Sequence, residues 1–416
     1  MAFRPNPGNT GLRRSVVAIT IVIGLIAVGC VVTTTSAQSS ELTPAHTAWV
    51  PFQSRSTGGY TVVSRTFSSS YEVNYLASEK SSALLNILFP NETSELVLFD
   101  AATNSTKVIQ PLVPGGNESL AYGMTAAGGA FFLVWLNLTN FKEFWEKVTL
   151  SGKVTYPTLP LGSIAIGGIF YPWEFDYGNT TNFFMSAGRD LVEINATSLK
   201  LEANYTKSVP ANVSVQTVLP IGDRLYLAGS RSLSNGAANS YFGFINLTTK
   251  KTTTISKRIA YPCNASTCLE EAFYALAAYG SDIYVGGALA NQSETSGNYS
   301  YRVIAGSFYE FVPSTAAFTN LTSLLPVKSW GVFALDPWGR TIALSLNSLS
   351  ENSTEFLIGG GIYSLIAGPS LVNETSVFPK GYVTYTTGDT SVSNGWYFAG
   401  GFDLAADIGE VVAVKT

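Results

Sequence analysis

The chain has 416 residues, of which 46% are apolar and only 12% are charged, with a formal net charge of −4 at pH 7. The apolar content is ample for a core and excludes global disorder. The sequence contains no basic block and no arginines interleaved with aromatic residues, which argues against nucleic acid as a partner. A surface so poor in carboxylates has few groups that titrate as the pH falls, so the composition suits acidic surroundings.

The amino-terminal 37 residues have the pattern of an export signal. A basic, acid-free start is followed by an uncharged apolar run over residues 16–32, and its arginines are Arg4, Arg13 and Arg14. The length of this run fits either the apolar core of a signal peptide or a short membrane-anchor helix. Both possibilities place the basic end on the cytoplasmic side and predict that the rest of the chain is exported.

The fate of this segment is left open by its sequence. Cleavage after Ala37, lipidation at Cys30, pilin-like processing at Arg14 and retention as an anchor are all compatible with the residues present. The Ser- and Thr-rich residues that follow, 38–48, predict a flexible stalk. Residues 49–416 are then expected to form one domain at the cell surface.

Two cysteines flank a tight loop, Cys263 and Cys268. Oxidation is expected outside the cell, and closing so small a ring stabilises the fold by roughly 2 kcal/mol. A metal site would need two further soft ligands, and none lies nearby in the sequence. We therefore predict a disulfide, with no metal and no cofactor.

The asparagines carry an unusual number of N-glycosylation sequons, Asn-x-Ser/Thr, and none of them lies before the stalk. An outer surface covered in N-linked glycans explains this pattern, although Asn and Thr also favour turns. The sequons begin at Asn91, Asn104, Asn117, Asn137, Asn179, Asn195, Asn204, Asn212, Asn246, Asn264, Asn291, Asn298, Asn320, Asn352 and Asn373.

Beyond residue 50 the chain repeats one pattern, a short apolar or aromatic run that stops at glycine. Such a run predicts a buried strand that either ends in a sharp turn or passes close to a neighbouring backbone. The copies are Phe183–Gly188, Leu225–Gly229, Ile283–Gly287, Phe356–Gly360 and Trp396–Gly401.

A second pattern follows each strand pair: an apolar strand end, a polar turn and a Thr-rich final strand. It occurs at Leu98–Thr103, Val148–Gly152, Glu193–Ser198, Phe244–Thr249 and Glu310–Thr315. The step is about 50 residues, which is typical of a β-propeller with one four-stranded sheet per repeat. Further units near Ile366 and Val412 bring the expected count to seven. We therefore predict an all-β, seven-bladed β-propeller, with a pair of β-sandwiches as the alternative.

The strand with its glycine pair, followed by the turn with threonine, resembles the kelch family of repeats. The glycine pairs are at 286–287, 359–360 and 400–401, with single glycines at 229 and 188. The regularly placed Tyr and Trp of kelch units occur here only sporadically. The composition and sequon load are similar to those of archaeal cell-surface glycoproteins. In such a ring, a spare strand at Ala48–Phe52 is expected to complete the last blade and leave no open sheet edge.

Catalytic signals are scarce. The single histidine, His46, lies in the stalk, so a Ser-His-Asp device is unavailable to the domain. Segment 336–341 looks a little like a sialidase aspartate box, but a hairpin turn explains it better.

Two aromatic and acidic segments, 141–147 and 171–177, are interpreted as loops. The second mixes stacking rings with carboxylates, which are the materials of a sugar site. Its candidate ligand-binding residues are Tyr171, Trp173, Glu174 and Asp176. The alternative is that these rings pack over neighbouring blades.

The favoured function is non-catalytic: an exported binding, adhesion or cell-envelope module that recognises a surface protein or a glycan. One alternative is a secreted polysaccharide hydrolase that uses Glu174 and Asp176. Another is a subunit of a larger surface filament or layer.

Overall fold

The structure is a computed structural model that describes residues 53–415. Excepted are 58–59, 68–71, 89–93, 111–118, 138–141, 162–163, 167–168, 172, 236, 258–262, 264–267, 296–297, 339–340, 353–355, 367–369, 375–381, 385–389 and 404–407. The predicted export signal, the stalk and the spare strand at Ala48–Phe52 lie outside the described residues.

The described chain is built from β-strands, with a single short 3₁₀ turn at Thr322–Leu324. The first strands are β1 (Gln53–Thr57), β2 (Tyr60–Phe67), β3 (Glu72–Glu79), β4 (Ser82–Leu88), β5 (Ser94–Asp100), β6 (Ser105–Gln110), β7 (Ser119–Ala127), β8 (Ala130–Asn137), β9 (Glu143–Thr149) and β10 (Val154–Thr155). Next come β11 (Ile164–Ile166), β12 (Ile169–Tyr171), β13 (Glu174–Gly178), β14 (Asn182–Ala187), β15 (Asp190–Asn195) and β16 (Leu201–Asn204).

The second half of the chain continues in the same way. Its strands are β17 (Val213–Ile221), β18 (Arg224–Ser232), β19 (Ala238–Asn246), β20 (Thr252–Thr254), β21 (Cys268–Tyr279), β22 (Asp282–Thr295), β23 (Asn298–Val312) and β24 (Ala317–Asn320). The last are β25 (Gly331–Trp338), β26 (Thr341–Asn352), β27 (Phe356–Ile366), β28 (Ser370–Asn373), β29 (Tyr382–Thr384), β30 (Thr390–Ser393), β31 (Trp396–Asp403) and β32 (Ile408–Lys415).

Most of these strands form antiparallel meanders of four. Separate sheets contain β3–β6, β7–β10 and β13–β16, and one 12-stranded sheet contains three consecutive meanders, β17–β20, β21–β24 and β25–β28. A six-stranded sheet joins β1, β2, β32 and β31, with β29 and β30 both paired to β31, and β11 and β12 form a two-stranded sheet. Five sheets of the described chain thus have four or more strands. Seven separate sheets are not seen, because the β19–β21 and β23–β26 pairings merge three meanders.

The first strands of the meanders pack side by side in a closed cycle. Contacts run from β3 to β7, β13, β17, β21, β25 and β30, and from β30 back to β3. Each meander therefore radiates outward from this cycle. The apolar core fills the space between adjacent meanders: Trp135 and Phe131 of β8, for example, pack against Ala77 and Leu84 of the preceding meander.

The ring is closed by pairing between the two ends of the described chain. Strand β2 pairs antiparallel with β32, from Thr61 opposite Lys415 to Phe67 opposite Gly409. The expectation that an amino-terminal strand completes the last sheet is correct, but its assignment to residues 48–52 is wrong. The closing strand is β2, whose Val62, Val63 and Phe67 are buried.

The turns between third and fourth strands follow the predicted pattern. Each contains one residue with positive φ, three or four positions after the last residue of the third strand, and these residues are Asn104, Gly152, Leu199, Lys250 and Ala316. The left-handed conformation reverses the chain within a few residues, and of these five residues Asn104 and Gly152 are of the types that favour it.

Close approach to a neighbouring backbone, one of the two reasons expected for the glycine runs, is found at Gly229 and Gly287. The strands continue through the glycines instead of stopping there, as β22 does through Gly286 and Gly287. A side chain at Gly229 or Gly287 would collide with a carbonyl oxygen of the neighbouring strand, so close backbone approach is the reason for glycine. The copies are also not equivalent, because Gly360 lies in a third strand, β27, and Gly188 lies in a turn.

Candidate ligand-binding site

A cavity of about 710 Å³ lies at the centre of the closed cycle. It is lined by residues of the first strands, among them Ser78 of β3, Thr125 of β7, Thr217 of β17 and Ser391 of β30. This volume is within the roughly 300–1,000 Å³ typical of small-molecule sites. The cycle therefore encloses a space in which side chains from many parts of the sequence converge.

The cavity wall is acidic. Its carboxylates are Glu174, Asp176, Glu270, Glu271 and Asp336, and the wall contains no Lys, Arg or His among the described residues. Carboxyl groups in a concave site with no basic side chain among the described residues offer an anion no partner and favour neutral or cationic ligands.

Asp176 is held by one hydrogen bond and lacks a second. The Ser186 hydroxyl donates to its Oδ1 at 2.9 Å, while its Oδ2 is buried without a hydrogen-bond partner in the described part of the chain. Burial raises the pKa of Asp176 well above its usual value, the charge of Glu174 raises it further, and the bond from Ser186 opposes the shift. A protonated Asp176 can both donate and accept a hydrogen bond.

Two other carboxylates of the wall, Glu271 and Asp336, accept hydrogen bonds from hydroxyl groups. Glu271 accepts hydrogen bonds from Ser240 Oγ at 2.7 Å and from Ser307 Oγ at 2.6 Å. Asp336 accepts one from Thr390 Oγ1 at 2.6 Å, which links β25 to β30. Burial raises the pKa of Asp336 to about 6, partly offset by this bond. The wall is thus braced by carboxylate–hydroxyl bonds between strands.

The segment predicted as an aromatic and acidic loop is divided between the cavity and the core. Glu174 and Asp176 lie on strand β13, not on a loop, and they line the cavity. Trp173 is only 4% exposed and packs with Phe183 and Met185 in the core, so its assignment to the ligand site is wrong. Its ring packs against neighbouring meanders, as the alternative interpretation predicted. Tyr171 ends β12, and its side chain lies outside the described residues.

The second such segment is also a strand. Glu143 and Glu146 lie on β9, and Glu143 Oε1 accepts a hydrogen bond from the backbone N–H of Trp173 at 2.8 Å. Burial raises the pKa of Glu143 and of Glu146 to about 7, and hydrogen bonds from Trp173 and Trp135 respectively oppose the shift. Glu143 thus links β9 to the residue before β13, Glu146 bonds within its own meander, and neither lines the cavity.

Three residues of the cavity wall are not predicted by the sequence pattern. Gln216, Tyr274 and Phe333 lie on three different first strands and all face the cavity. The rings of Tyr274 and Phe333 stack with centroids 5.2 Å apart and an interplanar angle of 24°. No local signal marks these residues, because their convergence depends on the closed cycle.

The predicted disulfide between Cys263 and Cys268 is present, and Cys268 begins β21. In the described chain, no group of three or more His, Cys, Asp or Glu side chains is suited to a metal ion. The described residues also include no helix that is long and apolar enough to span a membrane.

The sequons occupy varied positions, and none of the asparagines that the structure describes lines the cavity. Those with exposed asparagines are at Asn204, Asn212, Asn320 and Asn373, and those with half-buried asparagines are at Asn104, Asn179, Asn195, Asn246 and Asn291. Asn137 is only 7% exposed. Asn298 and Asn352 lie in strands, but their side chains are outside the description, as are residues Asn91, Asn117 and Asn264.

Two sequons lie at equivalent places in their meanders. Asn195 and Asn246 end the third strands β15 and β19. Each side-chain Oδ1 accepts hydrogen bonds from the two backbone N–H groups that lie two and three residues further on. Both therefore sit in the turn that leads to the outermost strand of the meander.

No family model and no curated protein matches the chain. Solved structures match in fold. The β-propeller domain of the Trilobed protease from Pyrococcus furiosus, described as having an open velcro topology, matches with a TM-score of 0.50 and 8% identity, over 83% of this chain and 95% of that chain. The fold is a β-propeller. Unlike an open ring, this propeller pairs β2 with β32.

Two other solved structures match more loosely. YjhT matches with a TM-score of 0.43 and 8% identity over 73% of this chain and 97% of that chain. Polysaccharide lyase Uly1 matches with a TM-score of 0.44 and 9% identity over 82% of this chain and 89% of that chain. At these TM-scores and identities, neither likeness says anything about the activity of this propeller.

Proposed function

We propose that this chain is an exported, N-glycosylated cell-surface propeller that binds a neutral or cationic ligand in its central cavity, as a binding or adhesion module without catalysis. The observation that carries the proposal is the cavity wall: five carboxylates, several hydroxyls and, among the described residues, no basic side chain. A negatively charged ligand would enter against this field without a partner to neutralise it.

The test measures ligand binding to two forms of the intact exported chain: the native chain, and a variant in which a larger side chain fills part of the cavity. The probes are neutral trisaccharides (cellotriose, maltotriose and mannotriose), the cation spermidine and the anion trigalacturonic acid, measured by titration calorimetry. The native chain should bind a neutral or cationic probe, and Thr217→Trp, which places a large ring on the cavity wall, should abolish binding. Preference for trigalacturonic acid, or binding that Thr217→Trp does not change, would contradict the proposal.

A second candidate is hydrolysis of polysaccharide. The observation that favours it is the pair of Asp176, whose pKa is well raised, and Glu174, whose charge contributes to that shift. A protonated acid beside a carboxylate is what glycoside hydrolysis requires. Release of reducing ends that is abolished by Glu174→Gln would establish an enzyme. Binding without turnover would leave the non-catalytic module.

We further propose a ring of seven kelch-like blades. Support comes from the cycle of β3, β7, β13, β17, β21, β25 and β30, and from the division of the 12-stranded sheet into three meanders. The glycine pair of β22 adds to the kelch resemblance. An experimental structure with six or eight radiating sheets would refute this count.

For the amino end we propose an export signal or anchor at residues 1–37 and a stalk at 38–48, carried by a cell-surface protein of an archaeon. The Cys263–Cys268 disulfide is compatible with an exported protein. Mass spectrometry of the native protein would locate the mature amino terminus. An unprocessed, soluble chain in the cytoplasm would contradict export.

A further inference from the structure

Six first strands of this propeller carry a bulge, and in five of them the bulge lies at the same distance from the hairpin turn that leads to the second strand. In each of these six strands one residue has no partner on the second strand, and the pairing register shifts there by one residue. The unpaired residues are Asn74, Tyr122, Asp176, Gln216, Tyr274 and Phe333. A β-bulge inserts an unpaired residue and re-aims a side chain, and bulges are common beside functional sites. Its recurrence in successive meanders makes it a built feature of the fold.

The glycines of the repeats are part of this device. Gly229 lies opposite Val215, just before the bulge at Gln216, and Gly287 lies opposite Phe273, just before the bulge at Tyr274. A Cβ at either glycine would meet a backbone carbonyl of the bulged strand. Glycine therefore permits the bulged strand to approach its partner.

Four consecutive first strands, β13, β17, β21 and β25, place their bulge residues on the cavity wall. These residues are Asp176, Gln216, Tyr274 and Phe333. The side chains of the remaining two bulge residues lie outside the described residues. One arc of the ring thus presents an amide and two aromatic rings at a common level, with a carboxyl group two residues nearer the hairpin turn.

The chemistry of this arc fits a neutral sugar. Tyr274, backed by the stacked ring of Phe333, offers an aromatic surface for the apolar face of a pyranose. Gln216 can donate and accept hydrogen bonds, and the buried Oδ2 of Asp176 still needs a partner in the described chain. A phosphate or a uronic acid would find no basic group on the described wall.

We propose that the bulges hold Asp176, Gln216, Tyr274 and Phe333 as a subsite for one neutral pyranose unit of a glycan. The ring of Tyr274 stacks on the sugar, and Asp176 and Gln216 bind its hydroxyls. This assignment rests on the proposed function of the cavity as a ligand site. It names the ligand class and adds Gln216, Tyr274 and Phe333 to the site.

The experiment compares variants of the full exported chain in titrations with the three neutral trisaccharides named above. At least one should bind the native chain, and Tyr274→Ala, Gln216→Ala and Asp176→Asn should each weaken binding about tenfold or more. Tyr274→Phe keeps the ring and should bind within about threefold of the native chain. The matched control is Tyr279→Ala, since Tyr279 lies on the same strand but is exposed and outside the cavity.

The two proposals fail in different ways. Sugar binding that is lost in Thr217→Trp but kept in Tyr274→Ala, Gln216→Ala and Asp176→Asn would overturn the subsite and leave the cavity as a ligand site. Binding of spermidine without binding of any trisaccharide would likewise overturn the subsite and leave the cavity as a ligand site. Absence of binding by every probe would overturn both proposals. Asp176→Asn and Tyr274→Phe preserve the shape of the native side chains, so the test does not depend on truncated variants alone.

Discussion

Burial raises the pKa of several carboxyl groups of this propeller above the values of free carboxyl groups. Glu146 is fully buried and accepts a hydrogen bond from Trp135 Nε1 at 2.6 Å, and its pKa is about 7. Glu143 has a pKa of about 7 and Asp336 of about 6, both raised by burial. Raised pKa values in the folded state mean that the folded chain holds protons that the unfolded chain releases. These raised pKa values stabilise the folded chain fully below pH ~4, near the pKa values of the unfolded chain. This stabilisation is lost as the pH rises through 6 to 7.

We predict that Glu146→Gln stabilises the protein at high pH only. The amide keeps an acceptor for Trp135 and removes the cost of a buried charge, so the free energy of unfolding at pH 8 should rise by on the order of 2 kcal/mol. At pH 4, where the native Glu146 is protonated, the two proteins should be about equally stable. Denaturant titrations at both pH values measure this, with Glu202→Gln on the exposed face of β16 as control. An equal effect at both pH values would contradict the prediction.

Sequon occupancy should follow exposure. We expect glycans at the exposed asparagines Asn204, Asn212, Asn320 and Asn373, and none at the buried Asn137, where the fold leaves no room for a sugar. Glycopeptide mass spectrometry of native protein gives the occupancy of each site. A glycan on Asn137 in most molecules would contradict the burial of its side chain.

For individual strands, the sequence predicts some residues of the cavity wall and gives no indication of others. Glu174 and Asp176 were predicted from the local mixture of acids and rings, and they do line the cavity. Trp173, beside them, has the same composition signal but faces the core, since only the pairing of β13 with β14 decides which way each side chain points. Gln216 and Tyr274 carry no local signal at all, because a bulge is defined by the register of two strands.

A side chain at the close-approach glycine should therefore cost more than the same change at an exposed turn. We predict that Gly229→Ala lowers the free energy of unfolding by about 2–3 kcal/mol, because its Cβ would collide with the carbonyl oxygen of Ser214. Gly222→Ala, in a turn with positive φ and open space around the Cβ, should cost only about 1 kcal/mol. Thermal or denaturant unfolding of both variants checks this, and equal costs would contradict the close approach.

At the scale of the whole molecule, the ring depends on one pairing between its ends. Strand β2 covers β32, and without it the last sheet would expose an apolar edge that includes Val412 and Val414. An exposed edge of this kind pairs with other chains. Closure thus protects the ring from aggregation as well as holding the first and last meanders together.

Removing the closing strand should open the ring. We predict that a chain starting at residue 68 unfolds at a temperature at least 10 °C lower than a chain starting at residue 60, and that it self-associates, because a pairing of seven residues is lost. The chain starting at residue 60 lacks β1 but keeps β2, and it serves as the control. Thermal unfolding and size-exclusion chromatography measure both effects. Equal stability of the two chains would show that β2 does not hold the ring.

The sequence by itself determined that this protein is built from repeated β-meanders, since apolar runs, polar turns and left-handed turn residues act over only a few positions. It also indicated the disulfide, whose cysteines lie five residues apart. Only the tertiary structure decided that β2 closes the ring and that Asp176, Gln216, Tyr274 and Phe333 meet on one wall. These features depend on strand register and on contacts between residues far apart in the chain, and local composition carries no information about either.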